Sequence, residues 1–532
     1  MSSHSVESYL AARTALISEE RSIRRDFREL QFATEEELQA DQIVRSIKLE
    51  EAKTVWAADH PDIPNVFPGM AYLSARNLIT KTKIFELISK MPKGALLHSH
   101  LDAMVSASVV LKYALEEPAI HVKIPNRLTK ASLASTPPAF RGLKPSEYSD
   151  EVCLTSNLYN PGTWVQIKRA RENFSDQLGG PEGFDAWVID SLTILPGEAY
   201  EKYDSMSKIW EKFQNTFNII GGFTRFYPLK KKYFKEFLLS SIEDGISFVE
   251  TRLVFFRGYL VDADGEESVG YSELLTAFRK IIQEVKDEMA NQGRPDAFFG
   301  CRIIYTTLRF VSCEELDWYI DDCIKLKQEF PDLIAGFDLV GSENDLKPLI
   351  YYIEPLLRCK SRVEELGLDL PFIFHAGETF GDGSEADNNL YDAILLGTKR
   401  IGHGFSLIKH PKLIQMCKER GIALEVCPIS NEILRLTSSV CNHPLASMIN
   451  QDVPVALCSD DPSVFGNMGL SFDFFQVLMG SDLNGLLTLR MLARQSLEHS
   501  TLSNIEKEKA LASWGKQWAI FVRSVVDGSI FA

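Results

Sequence analysis

Two histidines stand one residue apart in the segment ALLHSHLDAM (95–104), directly after an apolar run. Side chains at positions i and i+2 of a strand point to the same face, so His98 and His100 can both aim at one point. Two imidazoles suit zinc or a similar divalent ion. The pair alone would also fit ordinary surface or core histidines, so a metal site needs further ligands from distant parts of the chain.

Three later segments carry groups of the required kind. FHAGET places His375 three residues before Glu378, RIGHGF places His403 between two glycines, and LCSDDPS contains Asp460 and Asp461. A third imidazole would complete a set of three histidine ligands, and a nearby carboxyl group could move protons. Taken singly, the segments also fit a helix N-terminus, an idle loop histidine and a turn that caps a helix. Taken together, they predict a metal site.

The motifs also limit the kind of metal site. The segment AGFDLVGSEND (335–345) contains no lysine that could bridge two metals, so we expect a single ion. Neither HExxH nor the HxE and PCxxC motifs of the cytidine-type zinc deaminases is present.

The candidate residues follow short apolar runs that alternate with helical patterns. Strands that alternate with helices predict a parallel sheet, and eight such strands close a (β/α)8 barrel. Barrels of this kind build their sites at the C-terminal ends of the strands, which is where the polar residues lie. The predicted strands cover residues 94–100, 246–256, 298–308, 333–341, 371–377, 400–404, 422–428 and 453–461.

The predicted fold is therefore an α/β protein, a (β/α)8 TIM barrel over residues 91–532 with two additions. Residues 1–90 begin with a polar, charged stretch whose apolar positions have helical spacing, and they predict an N-terminal helical extension. The interval between strands one and two is too long for one helix, so we expect an insertion over 105–235 near the rim.

Composition excludes several kinds of partner. With 57 basic and 73 acidic residues the net charge is −16, which disfavours nucleic acid and anionic membrane surfaces. The N-terminus shows no signal-peptide h-region and no segment is apolar enough to span a membrane. Nine cysteines without a CxxC pair predict reduced thiols in a cytoplasmic protein.

Six ordered motifs resemble those of the adenosine deaminase family of the amidohydrolase superfamily, in particular its adenosine deaminase-related growth factor branch. The resemblance runs from about residue 91 to the C-terminus. The motifs are MPKGALLHSHLDA, AGFDLVGSE, FIFHAGET, RIGHGF, EVCPISNEIL and CSDDPSVFG. The resemblance implies hydrolytic deamination of adenosine and 2′-deoxyadenosine to the inosine product and ammonia. The growth-factor branch is often secreted, and this chain departs from it in showing no signal peptide.

Matched by motif, one zinc ion would be held by His98, His100, His375 and Asp460. A bound ion brings the pKa of water from about 15.7 to near 7, giving hydroxide at neutral pH for attack on C6 of the purine. His403 and Asp460 would orient and deprotonate that water. Glu378 would protonate N1, and this role requires a raised pKa.

Four further residues would bind the nucleoside according to the resemblance. The backbone N–H of Gly341 would meet N3, and Asp461 would pair with N7 if either the carboxyl group or the base carries the proton. Asp102 resembles the residue that holds the ribose hydroxyl. Trp210, in SKIWEKF, stands where the growth-factor branch has a tryptophan lining the pocket, although a tryptophan in a helix is also common in a core.

Two alternatives remain open at this point. The substrate could be another aminopurine nucleoside or nucleotide, such as AMP or a 5′- or N6-modified adenosine, but a phosphate needs a basic cluster for which Arg252, Arg257 and Lys168 are not obviously placed. The protein could instead be a non-catalytic binding protein on the same barrel. A homodimer through the N-terminal helices is also suggested by the resemblance, although their apolar positions would equally suit packing on their own barrel.

Overall fold

Eight parallel strands form the centre of the protein in a computed structural model that describes residues 5–532. The first four residues of the predicted extension lie outside the described residues. The strands are β1 (Gly94–Leu96), β2 (Ile246–Val254), β3 (Gly300–Leu308), β4 (Ile334–Val340), β5 (Phe374–Ala376), β6 (Arg400–His403), β7 (Ala423–Val426) and β8 (Val455–Leu457).

The eight strands close into a ring. Strands β1 to β4 form one parallel four-stranded sheet, and β5 to β8 form a second. Parallel bridges join the two sheets on both sides, from Phe337 to Phe372 and from Ser99 to Asp460. The predicted (β/α)8 barrel is thus confirmed, and each predicted strand overlaps an observed one. Ring closure brings the ends of β1 and β8 together although about 360 residues separate them.

Amphipathic helices cover the outside of the barrel. The helix after β2 buries Leu274, Phe278, Ile281 and Val285, a spacing of three or four residues that produces one apolar stripe. Single barrel helices follow β2 to β6, whereas several follow β7 and β8. The helices are Tyr271–Asn291, Cys313–Glu329, Ile353–Glu365, Glu385–Leu396, Pro411–Arg420, Pro428–Ile433, Leu445–Asn450, Pro462–Phe465, Ser471–Met479, Leu486–Glu498 and Asn504–Val526.

The N-terminal region contributes five helices, of which the long third one packs on the barrel. Glu35–Thr54 contacts the C-terminal helix Asn504–Val526, where Trp518 donates to the Glu37 carboxylate at 2.9 Å. The first helix, Val6–Ser22, contains no buried residue. The remaining three are Phe27–Gln31, Tyr72–Ile79 and Lys83–Ser89. Part of this region therefore covers its own barrel, and its first helix stands free of the core.

The segment between β1 and β2 forms a small layer beside the barrel mouth. Its centre is a three-stranded antiparallel sheet in which Ile120–Lys123 lies between Ala139–Gly142 and Val165–Gln166. Its helices are Ala107–Leu115, Ile167–Glu172, Gly180–Leu192, Met206–Thr224 and Tyr227–Glu243. The last helix leads directly into β2, so the predicted insertion end at residue 235 falls inside one continuous helix. After β2, a short hairpin pairs Leu260–Val261 with Glu267–Val269.

Among the helices within residues 5–532, none combines the length and apolar composition that a membrane crossing requires.

Candidate active site

The predicted site residues meet at the C-terminal ends of four barrel strands. His98 and His100 follow β1, His375 lies in β5, His403 ends β6, and Asp460 follows β8. His403 and Asp460 have φ angles of 60° and 62°, in the left-handed region that residues other than glycine rarely adopt. Two such residues at one rim indicate that the surrounding structure holds their side chains in place.

The imidazoles and the aspartate are close enough to share one ion. The candidate ligand atoms of His98, His100 and His375 all lie within 4.8 Å of one another. Asp460 Oδ1 is 3.2 Å from Nε2 of both His98 and His100. Ligand atoms placed about 2.0 to 2.2 Å from a common zinc ion lie roughly 3 to 3.5 Å apart, so this spacing suits such an ion.

Two buried atoms of this cluster make no hydrogen bond within the described part of the chain. They are His98 Nε2 and Asp460 Oδ1. A buried polar atom left unpaired costs free energy, so both atoms call for a partner that the polypeptide does not supply. Cys427 Sγ is also nearby, and burial raises the pKa of its thiol well above the usual range. The donor set therefore fits a divalent metal ion held by imidazole nitrogens and a carboxylate.

A layer of buried charges supports the histidines from below. His98 Nδ1 lies 2.7 Å from Glu425, and His375 Nδ1 lies 2.7 Å from Asp338. Arg252 contacts both carboxylates, at 2.7 Å from Asp338 and 2.8 Å from Glu425. A carboxylate that accepts from Nδ1 leaves the Nε2 lone pair free for a metal, as in carboxylate–histidine–metal triads.

These supporting residues were not among the predicted site residues. Asp338 and Glu425 stand in the middle of the apolar runs AGFDLVG and IALEVCP. A single charged residue inside a buried strand is rare unless it is paired, and that signal could have identified both.

Three carboxyl groups in the site differ in charge because their surroundings differ. Burial, followed by the charges of Asp460 and Glu343, raises the pKa of Glu378 well above its usual range. Burial and the Asp460 charge likewise raise the pKa of Asp461. Burial alone would raise the pKa of Asp460, but its contacts with His100 and His403 hold that pKa well below its usual range. The surroundings therefore favour the ionised form of Asp460 and the protonated forms of Glu378 and Asp461.

A cavity of about 660 Å³ opens above this cluster and is large enough for a small organic ligand. Gly341, Asp461 and the half-buried Trp210 line it together with His100, His375 and Asp460. Phe140, Phe213, Phe217, Phe226 and Phe256 contribute to its outer wall. The structure thus brings every predicted site residue except the fully buried His98 to the lining of one cavity, and His98 contacts Asp460 at its base.

Asp102 also lines the cavity, and its carboxyl group is paired with a lysine that the sequence analysis did not identify. Its Oδ1 accepts a hydrogen bond from the buried Lys230 ammonium at 2.5 Å. Lys230 was not a predicted site residue, because a lysine in the first turn of a helix gives no local signal of a site. Arg252, considered from the sequence as a phosphate ligand, lies beneath the histidines and is fully committed to Asp338 and Glu425.

The fold and the site together define a (β/α)8 barrel protein with a cluster of residues that could hold a metal ion at the barrel mouth. Residues 198–514 match the family model described as adenosine deaminase. The chain is 34% identical to "Adenosine deaminase 2-A" of Danio rerio, over 86% of this chain and 84% of that one. It is 31% identical to "Adenosine deaminase 2" of Homo sapiens, over 86% and 84% of the two chains. The chain belongs to the adenosine deaminase family and is a hydrolytic deaminase.

Solved structures agree with this fold. Arabidopsis ADAL complexed with GMP superposes with a TM-score of 0.53 at 16% identity, covering 81% of this chain and 98% of that one. An amidohydrolase from Burkhoderia ambifaria with bound Zn gives a TM-score of 0.52 at 15% identity, covering 83% and 94%. At this identity the likeness supports the barrel and carries no argument about substrate.

Proposed function

We propose that this protein catalyses the hydrolytic deamination of adenosine and 2′-deoxyadenosine to the inosine product and ammonia, using one zinc ion. The observation that carries the proposal is the meeting of three imidazoles, an ionised aspartate and a neutral glutamic acid at the base of one cavity. The relatives named adenosine deaminase support the choice of substrate.

His98, His100, His375 and Asp460 would hold the ion. Burial lowers the pKa of His375 to about 3, which keeps this imidazole neutral and able to bind metal. Bound zinc would supply Lewis acidity that brings the pKa of water to about 7. The remaining chemistry belongs to the side chains around it.

Two carboxyl groups divide the proton transfers. Asp460, ionised, takes one proton of the attacking water and passes it to the C6 amino group, which leaves as ammonia when the C6–N bond breaks. Glu378, neutral, donates a proton to N1 of the purine as the ring loses aromaticity and recovers a proton from the C6 hydroxyl group as the carbonyl forms. His403 Nε2 lies 3.7 Å from Asp460 and 3.6 Å from Glu378, so it can contact an oxygen atom placed between them. The opposite protonation states of the two carboxyl groups allow one to act as the base and the other as the acid.

Other cavity residues would orient the nucleoside. Asp461 carries the proton because its pKa is raised, so it donates to N7 of the base. The backbone N–H of Gly341 meets N3, and Trp210 covers the ribose side. Lys230 donates to Asp102 and so fixes the position of the Asp102 carboxyl group, which accepts from a ribose hydroxyl.

A panel of substrates on a preparation of known metal content tests the proposal. We expect about one zinc per chain and turnover of adenosine and 2′-deoxyadenosine, followed by the change in ultraviolet absorbance. Turnover confined to AMP or to a 5′- or N6-modified adenosine would replace the substrate. A protein without metal and without any turnover would be a non-catalytic binder.

We also propose a homodimer in which the N-terminal helix takes part. Helix Val6–Ser22 buries no residue and exposes apolar side chains, with Tyr9 and Leu16 both 67% exposed. Sedimentation of wild type and of a Leu16→Glu variant tests this, since a dimer through this helix weakens in the variant.

A cytoplasmic location is proposed from the thiols. All nine cysteines are free, and six of them are buried, which suits a reducing compartment. Cell fractionation is the direct test, and recovery in the medium would overturn it.

A further inference from the structure

A chain of hydrogen bonds runs from the backbone into the ring of His403. The Leu445 N–H donates to His443 Nδ1 at 3.0 Å. His443 Nε2 lies 3.0 Å from Asn431 Oδ1, and Asn431 Nδ2 lies 3.1 Å from His403 Nδ1. His403, Asn431 and His443 are all buried, so these contacts do not exchange with water.

The backbone end determines the direction of the whole chain. A backbone N–H is always a donor, so His443 Nδ1 must accept and carries no proton. The neutral His443 ring then carries its proton on Nε2 and donates to Asn431 Oδ1. Asn431 is left with its amide nitrogen toward His403, to which it donates. The backbone donor thus fixes the His443 tautomer and, through it, the orientation of the Asn431 amide group.

Burial supports the neutral state on which this direction depends. It lowers the pKa of His443 to about 3, so the ring is uncharged at neutral pH. A doubly protonated His443 could not accept from the Leu445 N–H.

We infer that His443 and Asn431 are positioning residues, which hold the proton of His403 on Nε2, the nitrogen that faces the cavity. His403 then acts as a hydrogen-bond donor to the attacking oxygen. It is neither a metal ligand nor a base, because Nε2 keeps its proton and Nδ1 is occupied by Asn431. The kinetic part of this inference rests on the proposed function, whereas the position of the proton does not.

The contrast with the other histidines sharpens the inference. His98 and His375 present Nδ1 to Glu425 and Asp338, and both carboxylates have pKa values held below the usual range by neighbouring Arg252 and the imidazoles, although burial opposes this. These two rings therefore carry their proton on Nδ1 and offer Nε2 to a metal. The hydrogen-bond partners of the rings thus distinguish the metal ligands His98 and His375 from the donor His403, although all three rings face the same point.

Nitrogen-15 NMR of histidine-labelled, zinc-loaded protein tests the inference directly. We expect His403 to be protonated at Nε2, with its signal assigned by its loss in His403→Gln. In Asn431→Asp, the aspartate accepts from both neighbours, and the His403 proton should move to Nδ1. Turnover should fall about 10- to 100-fold, as is usual when an outer partner of an active-site group changes, with KM little altered. A His403 protonated at Nδ1 in wild type would overturn the inference.

Two variants at position 443 provide a second test that remains informative if Asn431→Asp does not fold. His443→Gln keeps a donor toward Asn431, whereas His443→Leu removes it, and both lack the imidazole. We expect the Gln variant to keep the Nε2 proton and turnover close to wild type, and the Leu variant to show mixed protonation and reduced turnover. Equal behaviour of the two variants would contradict the inference. The expected proton position without deamination of adenosine would instead contradict the proposed function alone.

Discussion

Replacing Gly402 by alanine should weaken metal binding, because the added methyl group displaces the histidines that would hold the ion. Gly402 lies in β6, and a Cβ added there would meet His98 Cε1 at 2.9 Å and the His375 Cα at 3.2 Å. Its φ angle is not in the left-handed region, so contact alone opposes the alanine. Carbon atoms pack at about 3.5 to 4.0 Å, so the His98 ring must move by about 0.6 Å.

The expected magnitude follows from the lack of room for that movement. His98 is fully buried and tied to Glu425 at 2.7 Å, so its ring cannot swing into free space. Metal–ligand distances tolerate roughly 0.2 Å, and overpacked cores lose about 1 to 3 kcal/mol of stability. We expect metal affinity to fall by at least about 10- to 100-fold, the range found for disturbed supports of metal ligands.

Competition with a chelator measures metal affinity, and urea unfolding of the metal-free protein measures the packing cost. Gly515→Ala is a suitable control, because nothing lies within 4 Å of its added Cβ in helix Asn504–Val526. The free energy of unfolding of that variant should rise by about 0.5 to 1 kcal/mol, and its metal affinity should not change. Wild-type metal affinity in Gly402→Ala would refute the placement of His98 and His375 as metal ligands in contact with Gly402.

Three further outcomes can be checked on the same preparation. Glu378→Gln should keep its metal, by elemental analysis, while turnover falls at least about 10²- to 10⁴-fold; near-normal turnover would remove Glu378 from proton transfer. Asp461→Ala should raise KM without metal loss, and loss of metal would mean that Asp460 and Asp461 have exchanged roles. Burial raises the pKa of Glu432 from 4.5 to about 7, so the folded protein keeps this proton when the unfolded chain has released it, and stability falls as pH rises between these values. The unfolding temperature of Glu432→Gln should therefore rise relative to that of wild type as the pH increases from 4.5 to about 7. A difference in unfolding temperature that stays constant over this pH range would contradict the raised pKa of Glu432.

The barrel and the metal-type residues were predictable because their signals are local. A buried strand shows itself as a short apolar run, and a polar residue at its end stands out against that run. The strand pattern therefore predicts that His98, His375 and Asp460 lie at one rim, since parallel strands of a barrel end on the same face. The ligand and proton-transfer roles of these residues remain predictions that the experiments above address.

The partners behind those residues depended on tertiary structure. Sequence alone determined which side chains lie at strand ends, because the two-residue period of a strand is a local property of the chain. Ring closure and loop packing decided that Glu425 supports His98, that Asn431 and His443 stand behind His403, and that Lys230 reaches Asp102. Such contacts join residues from separate segments, and their geometry is set by how the elements pack, which no local pattern encodes.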